Sequence, residues 1–413
     1  MILPPATLGI LGGGQLGRFF VAAAHEMGYR VWVLDPDPAS PAGLIADRHL
    51  CHAYEDPLAL DLLAQHCAAI TTEFENVPAH SLDYLAQTRP VHPAAQAVRI
   101  VQDRISEKHF LRDAGLPHAA FAVLHQEQDI SALGEGSPAI ASLFPGILKV
   151  ARMGYDGKGQ AQVANIAETL DAFRQFNVEN NAANNVANKV QHDANQQGVS
   201  CVLEQKLPLD SELSVVLARS ANGDIAAFPC AENTHQQGIL AYSRVPARLP
   251  FALQAEARAL AEKIAVALDY VGVLAVEFFV VHGQLRVNEI APRPHNSGHY
   301  TLDACVSSQF EQQVRTLCAL PLADTRAHSA AVMVNLLGDV WYSAGQLDAP
   351  LCEPDWPQLY AVRNLKLHLY AKQHARRARK MGHFTVLDAD CVTGGDAYAS
   401  ALAAAALLGV KPA

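Results

Sequence analysis

No two of the eight cysteines stand in a CxxC spacing: Cys51, Cys67, Cys201, Cys230, Cys305, Cys318, Cys352 and Cys391 are scattered along 413 residues. Metal-knuckle and redox-motif readings therefore lack support, and reduced, mostly buried thiols are expected. Basic excess is also missing. A formal net charge of −10 argues against non-specific binding to nucleic acid or membranes, since both surfaces are anionic. A local basic cluster can still hold a small anion. No run of eighteen or more apolar residues suggests a membrane span. The opening Met1-Ile2-Leu3-Pro4-Pro5 has no basic region ahead of an apolar stretch, so it does not read as a signal peptide. There are no internal repeats. What remains is half hydrophobic and 17% charged, the balance of a globular, cytoplasmic protein without general disorder. Its 413 residues exceed what one hydrophobic core usually supports, so two or three domains are expected.

The first hundred residues alternate short apolar runs with helical patterns. Thr7 to Leu11, Arg30 to Leu34 and Ile70 to Thr72 read as strands and Leu16 to Met27 as a helix, the mark of βαβ units and a parallel sheet. A helix from Asp103 to Ala114 stops at Gly115, ahead of Pro117. From about Ala119 the pattern changes to strands separated by Gly-rich turns: Ile147 to Val150, Val202 to Glu204 and Glu212 to Leu217. Asn177 to Gln197, rich in Asn, Ala and Gln and without periodicity, reads as a surface insertion. Gln254 to Leu268 is an amphipathic helix leading into a hairpin, Val271 to Ile290. A last block from about Thr325 holds a strand, Ala331 to Leu336, and an Ala-rich terminal helix.

That hairpin carries the clearest chemistry. A three-residue loop, His282-Gly283-Gln284, pairs Val281 with Leu285 and hence Glu277 with Glu289, with Ala275, Phe279 and Val287 on the shared apolar face. Two carboxylates facing each other in apolar surroundings raise at least one pKa and cost several kcal/mol unless a cation intervenes. Carboxylate and amide oxygens, without His or Cys ligands, suit Mg²⁺ shared with substrate phosphates. Taken alone, the two acids favour the plainer reading, a satisfied or partly exposed polar pair at a strand end. Their neighbours tip the balance.

Two glycine-rich loops compete for a phosphate. Gly12-Gly13-Gly14-Gln15-Leu16-Gly17 matches G-x-G-x-x-G between a strand and a helix, with Asp35 closing the next strand; by fingerprint this is a dinucleotide site. A tight strand–helix turn explains the same residues. The second loop follows Lys149 at the end of an apolar strand, where Gly154, Gly157 and Gly159 free the backbone to fold over phosphates and Lys149 and Lys158 neutralise charge. No Ser or Thr follows the Gly-Lys pair, so it is not a Walker loop, and protein-kinase signatures are missing. A Lys-bearing strand, a Gly loop and a carboxylate hairpin are specific only together.

Together they resemble the ATP-grasp superfamily. Gly14-Gln15-Leu16-Gly17-Arg18, Thr72-Glu73-Phe74-Glu75-Asn76-Val77-Pro78, the loop Gly154 to Gln160, the run Asn288 to His299 and Arg379-Lys380-Met381-Gly382-His383 occur in this order. In that order they resemble the N5-carboxyaminoimidazole ribonucleotide synthases, a biotin carboxylase-like family, over all but the Asn-rich stretch. The resemblance implies an α/β and α+β fold in three parts. These are a substrate-binding βαβ domain with a parallel sheet (1–118), an ATP-grasp domain (119–324, with the insertion at about 177–197) and a small β-rich C-terminal domain (325–413).

The same resemblance implies that ATP is held by Arg104, Lys149, the loop Gly154-Tyr155-Asp156-Gly157-Lys158-Gly159-Gln160, the segment Glu204-Gln205-Lys206-Leu207, Glu212, His235, Asn288 and Glu289. Glu277 and Glu289, with Asn288, carry Mg²⁺, with Mn²⁺ as an alternative. Gln15, Leu16, Glu75, Tyr155, Asn296, Ser297, Arg379 and Lys380 hold 5-aminoimidazole ribonucleotide, while Arg293, His295 and Lys372 serve catalysis with bicarbonate. His235 alone reads as a structural histidine. The cluster Lys372, Arg376, Arg377, Arg379 and Lys380 reads either as a solvated helix face or as a cradle for a 5′-phosphate. The chain departs from the family there: Ala371 stands where Gly is usual and Arg377-Ala378 replaces a Pro-Gly pair. The resemblance further implies a homodimer. Rival readings are a formate-dependent glycinamide ribonucleotide transformylase, a nicotinamide-dependent oxidoreductase resting on Gly12 to Gly17 and Asp35, and a nucleotide-binding regulator without turnover.

Overall fold

The computed structural model describes residues 1–133, 142–152, 154, 159–186, 198–342, 351–388 and 395–410. Tyr155, Asp156, Gly157 and Lys158 of the second glycine loop lie outside the described residues, as do 187–197 of the Asn-rich stretch and Cys391. Two compact units form. The first joins Met1–Val98, Ser211–Phe278 and Glu289–Ala413; the second joins Arg99–Asp210 and Phe279–Asn288. No described helix is long and apolar enough to cross a membrane.

The first unit opens with β1 (Thr7–Leu11), β2 (Arg30–Leu34), β3 (Arg48–Leu50) and β4 (Ala69–Thr72), all parallel in the order β3-β2-β1-β4. A parallel sheet buries both faces, which is why these strands read as short apolar runs. One face packs Leu8, Ile10 and Val31 under Phe20 and Val21 of the helix Gln15–Glu26 and Phe310 and Val314 of the helix Gln309–Leu317. The other packs Leu11, Leu34 and Ile70 under Leu60, Leu63, Leu82 and Val98.

In the second unit β5 (Phe121–Leu124), β6 (Gly146–Val150), β7 (Gln160–Val163) and β8 (Cys201–Gln205) form an antiparallel sheet, β5-β8-β6-β7. The helix Arg104–Asp113 starts where expected, because the Asp103 side chain accepts from the amides of Ile105 and Ser106, and stops before Gly115, whose φ is +62°. The Asn-rich stretch, read above as a surface insertion without periodicity, is helical as far as Val186, where it forms the C-terminal part of one long helix, Ile166–Val186. Phe173 and Phe176 pin that helix to Leu148 and Leu203. Asn177 then donates to the Phe173 carbonyl (2.9 Å) and accepts from the Val199 amide (2.7 Å). Ala, Glu and Asn extend a helix already anchored by packing even without an apolar period.

The larger sheet contains β9 (Ser211–Arg219), β10 (Ile225–Ala227), β11 (Ala231–Gln236), β12 (Ile239–Val245), β13 (Gly272–Val281), β14 (Gln284–Ala291), β15 (Ala330–Leu337), β16 (Leu365–Leu369) and β17 (Lys380–Asp388). Its order is β14-β13-β9-β11-β12-β15-β17-β16, with β10 on β9. The C-terminal strands thus continue the sheet: β15 pairs with β12, Val245 opposite Ala331. Ala397, Ala401, Ala404 and Ala405 of the helix Gly395–Leu407 cover β15 and β17. In the β13–β14 hairpin, His282 and Gly283 alone make the turn, at φ +50° and +72°. Two successive positive φ values are the mark of a two-residue turn. The expected three-residue loop is one residue too long, and the Val281–Leu285 register inferred from it does not follow.

At both positions where the family pattern has glycine, the backbone keeps a left-handed conformation with alanine instead: Ala371 has φ +58° and Ala378 +63°. A Cβ there costs about 1–2 kcal/mol, and glycine's freedom in the unfolded chain takes back part of any gain. Ala371→Gly and Ala378→Gly are each expected to add roughly 0.5–1 kcal/mol of stability, read from the urea midpoint. A lower midpoint in both would contradict this account of the loop.

Candidate active site

The expected site residues divide between the units. Gln15, Leu16, Glu75, Glu212, His235, Glu277, Glu289, Arg293, His295, Asn296, Ser297, Lys372, Arg379 and Lys380 belong to the first; Arg104, Lys149, Gly154, Gly159, Gln160, Glu204, Gln205, Lys206, Leu207 and Asn288 to the second.

In the first unit Glu277, Glu289 and His295 bring their ligand atoms within 4.8 Å of one another. Opposite ligands of an octahedral Mg²⁺ lie about 4.2 Å apart, so small adjustments accommodate an ion. The Glu277 carboxyl is pushed up to about 7, first by burial and then by the charge of Glu289. That is the conflict a divalent cation resolves. His235 forms an ion pair with Glu212 (2.8 Å) and rises above its ordinary value: burial opposes the charge, but Glu212, Glu277 and Glu289 outweigh it. His295 behaves oppositely. Burial, then Arg293 and Lys380, hold it well below the usual imidazole range. The Ser297 amide donates to His295 Nδ1 (3.3 Å), while Ser297 Oγ, itself accepting from Ser214 Oγ (2.8 Å), lies 2.9 Å from the same nitrogen. Nδ1 is therefore the acceptor, and Nε2 carries the proton toward Glu277 Oε1 at 3.5 Å. Such an imidazole is a donor and would not serve as a metal ligand in this state.

Arg293 and Glu75, expected to serve different groups, grip each other: Nε to Oε2 at 2.5 Å and Nη2 to Oε1 at 3.2 Å. Burial favours a protonated Glu75, but Arg293 wins and holds the carboxyl below its ordinary value. Next along the chain, Asn296 is 6% exposed, and both its amide atoms lack a hydrogen-bond partner among the described residues. A buried amide in that state is completed by a ligand or by water.

The Gly12–Gly17 turn is already filled by the protein's own carboxylates. Asp35 Oδ2 accepts from the Gly13 amide (2.7 Å) and the Tyr54 hydroxyl (2.8 Å). Glu73 accepts from the amides of Gly14 and Leu16. A Cβ on Gly14 would stand 2.2 Å from Glu73 Oε1, so glycine is required there for the carboxylate to approach. The dinucleotide reading thereby loses both its phosphate-binding amides and its ribose-binding acid. Glu73 was overlooked as a site residue, although β4 pairs Thr72 with Leu11 and so delivers the next residue beside Gly12.

The basic C-terminal segment is a loop between β16 and β17, not a helix face. Lys372 Nζ donates to the Lys380 carbonyl (2.7 Å) and Arg379 Nη1 to the His374 carbonyl (2.9 Å). Asp339 accepts from the Ala378 amide (2.7 Å) and pairs with Arg377 (3.6 Å).

In the second unit Glu204 is 3% exposed and lies between Lys108 (3.1 Å) and Lys149 (3.2 Å). Burial opposes ionisation, but the two ammonium groups bring the carboxyl down to about 2. Lys108, absent from the expected set, also donates to the Asn288 carbonyl at 3.1 Å. Its signal is its place on the buried face of the helix Arg104–Asp113, with Glu107 and Leu111. Arg104 Nη2 reaches the Gly154 carbonyl at 2.9 Å. The amides of Gln205 and Lys206 donate to the carbonyls of Ala120 and Pro145.

A cation-seeking carboxylate hairpin, together with a strand lysine held against a buried glutamate, belongs to ATP-dependent ligases, and the family models agree. They match a ribonucleotide synthetase preATP-grasp domain at residues 5–102, an ATP-grasp domain at 109–310 and a phosphoribosylaminoimidazole carboxylase C-terminal domain at 331–393. The chain is 44% identical to the N5-carboxyaminoimidazole ribonucleotide synthase of Brucella melitensis, over 92% of this chain and 96% of that protein. It is also similar to a crystallised ADP complex of an N5-carboxyaminoimidazole ribonucleotide synthetase: TM-score 0.82, 37% identity, 99% of this chain and 98% of that one. The Aspergillus clavatus synthase, solved with ADP and 5-aminoimidazole ribonucleotide, aligns with TM-score 0.79 and 28% identity over 98% and 99% of the two chains. This chain belongs to the N5-carboxyaminoimidazole ribonucleotide synthase family.

Proposed function

We propose that the protein uses ATP and bicarbonate to carboxylate the exocyclic amine of 5-aminoimidazole ribonucleotide, releasing ADP and phosphate, as a step of purine biosynthesis. A bicarbonate oxygen attacks the γ-phosphorus, ADP leaves, and the amine nitrogen then bonds to the carboxyl carbon as phosphate departs and the nitrogen loses a proton. The observation that carries the reading is the buried run directly after Glu289: a guanidinium at Arg293, a neutral imidazole at His295 and the unpartnered amide of Asn296. An anionic carboxyphosphate and a polar heterocycle need this combination. The sister formate-using family usually has an acid in the stretch corresponding to Asn296-Ser297-Gly298, and a carboxylate buried there would repel such an anion.

Mg²⁺ is assigned to Glu277 and Glu289, with Asn288, and neutralises the transferring phosphates when bound. ATP is assigned to the residues named above for it, with Tyr155 to Lys158 among them. Arg293 offsets charge on the carboxyphosphate, held in orientation by Glu75, and His295 donates from Nε2. Lys372, Arg379 and Lys380 take the ribonucleotide. A homodimer, read by light scattering, and a cytoplasmic setting complete the proposal; five of the seven described cysteines are buried, and all seven are free thiols. ADP release with aminoimidazole ribonucleotide plus bicarbonate, compared with glycinamide ribonucleotide plus formate, tests it. Turnover only in the second mixture overturns it.

A further inference from the structure

Behind the proposed substrate residues of the first unit lies a buried cluster that no step of the reaction uses. Three imidazoles stack face to face: His299 on His383 (centroids 4.6 Å apart, planes 17° apart) and His383 on His368 (4.7 Å, 21°). His299 and His383 are fully buried. The ring of Phe19 lies within 6 Å of all three, at 5.4, 5.9 and 5.8 Å. His383 Nδ1 bonds to the Tyr370 hydroxyl at 2.8 Å, and His368 Nε2 to Asp303 at 2.8 Å. Asp303, His368 and His383 bring one ligand atom each within 4.8 Å of one another, but the two hydrogen bonds just given already occupy His368 Nε2 and His383 Nδ1, so the group is read as packing.

The cluster matters for what its members are attached to. Phe19 is on the first helix, four residues after Gln15. His299 ends the run that holds Asn296 and Ser297. Tyr370 and His383 flank the loop that carries Lys372, Arg379 and Lys380. Three of the segments assigned to the ribonucleotide thus send rings into the same packed group: Phe19 from the first, His299 from the second, and Tyr370 with His383 from the third. We propose that this imidazole–aromatic cluster holds the three segments in register, which makes His383 and Tyr370 positioning residues for the ribonucleotide. The proposal rests on the assignment of those segments to the ribonucleotide. Burial, then the neighbouring imidazoles, keeps both His299 and His383 well below the usual range.

Three variants test it in the full-length protein. Tyr370→Phe deletes only the hydroxyl, His383→Phe keeps a stacked ring without the hydrogen bond, and His383→Ala removes both. The hydrogen bond alone is expected to be worth about a fivefold rise in KM for aminoimidazole ribonucleotide, and His383→Ala about fiftyfold, with His383→Phe in between. KM for ATP should stay within about twofold throughout, since binding energy is lost at one substrate only. Amide exchange by mass spectrometry supplies a readout that needs no substrate: in His383→Ala, peptides covering 15–19, 296–300 and 370–383 should all exchange faster together. Faster exchange confined to 370–383, or an unchanged ribonucleotide KM in folded His383→Ala, overturns the proposal. If the wild-type protein fails to turn over aminoimidazole ribonucleotide while the exchange stays coupled, the substrate assignment is wrong and the register-holding role stands.

Discussion

Exchanging Glu277 for glutamine is expected to stabilise the metal-free protein at pH 8 by about 3 kcal/mol while lowering kcat about a thousandfold. The stability half follows from linkage. Burial and Glu289 raise the Glu277 carboxyl from 4.5 to about 7 in the folded state. A raised folded-state value contributes stability that is fully present below pH 4.5 and is lost as pH rises through 7. Above that, the ionised pair carries a cost of about 1.4 kcal/mol for each pH unit of the shift, hence about 3 kcal/mol. Glutamine never ionises, so the advantage of the variant should vanish by pH 4.5. The kinetic half follows from the same charge. On the proposed assignment Glu277 is a ligand of Mg²⁺, and losing several kcal/mol of charge neutralisation at a transferring phosphate corresponds to about three decades in rate. Urea unfolding at pH 5 and pH 8, with and without Mg²⁺, separates the two. Mg²⁺ should raise the midpoint of the wild-type protein at pH 8 and leave the variant unmoved. Equal stability of the two proteins at pH 8 without metal would remove the basis of the argument.

The parts of the molecule legible in the sequence are those decided by local pattern. β1 and β2 were located to the residue, because strands of a parallel sheet are buried on both faces and bounded by Gly and by polar residues. Asp103 announced its helix for the same local reason. The sequence pattern brings Glu277 and Glu289 together through a wrong turn length, and the acid conflict it implies is present. What was missed depends on residues distant in sequence. Glu73 becomes a cap for Gly14 only once β4 lies beside β1. Lys108 reads as one more helix cation until Glu204, 96 positions later, is seen against it. The helix past Asn177 has no amphipathic period, because Phe173 and Phe176 have already fixed it to the sheet. His299, His368 and His383 offer no pattern; only the pairing of β16 with β17, which sets His368 opposite His383, creates the stack. Ala371 and Ala378 conceal their left-handed backbone because nothing in alanine announces it.

Arg293→Met is expected to cost about 3 kcal/mol of stability and at least a thousandfold in kcat/KM, and a second substitution separates the two losses. Removing the guanidinium takes its main charge partner from Glu75, whose side chain is only about a quarter accessible. Breaking such a pair from one side strands a charge, whereas replacing both members is close to neutral. Glu75→Gln in the Arg293→Met background should therefore recover most of the lost stability. The penalty of the single variant also has a fixed pH sense. Arg293 holds the Glu75 carboxyl below its ordinary 4.5, so the pair contributes stability present above pH 4.5 and lost as pH falls through the lower folded-state value. The stability gap between Arg293→Met and wild type should accordingly narrow at pH 4. Activity should behave differently. If Arg293 acts on the carboxyphosphate, the double variant stays about a thousandfold below Glu75→Gln alone, although it is nearly as stable as wild type. If Arg293 serves only to hold Glu75, the double variant and Glu75→Gln turn over at the same rate, and the catalytic role assigned to the guanidinium is lost.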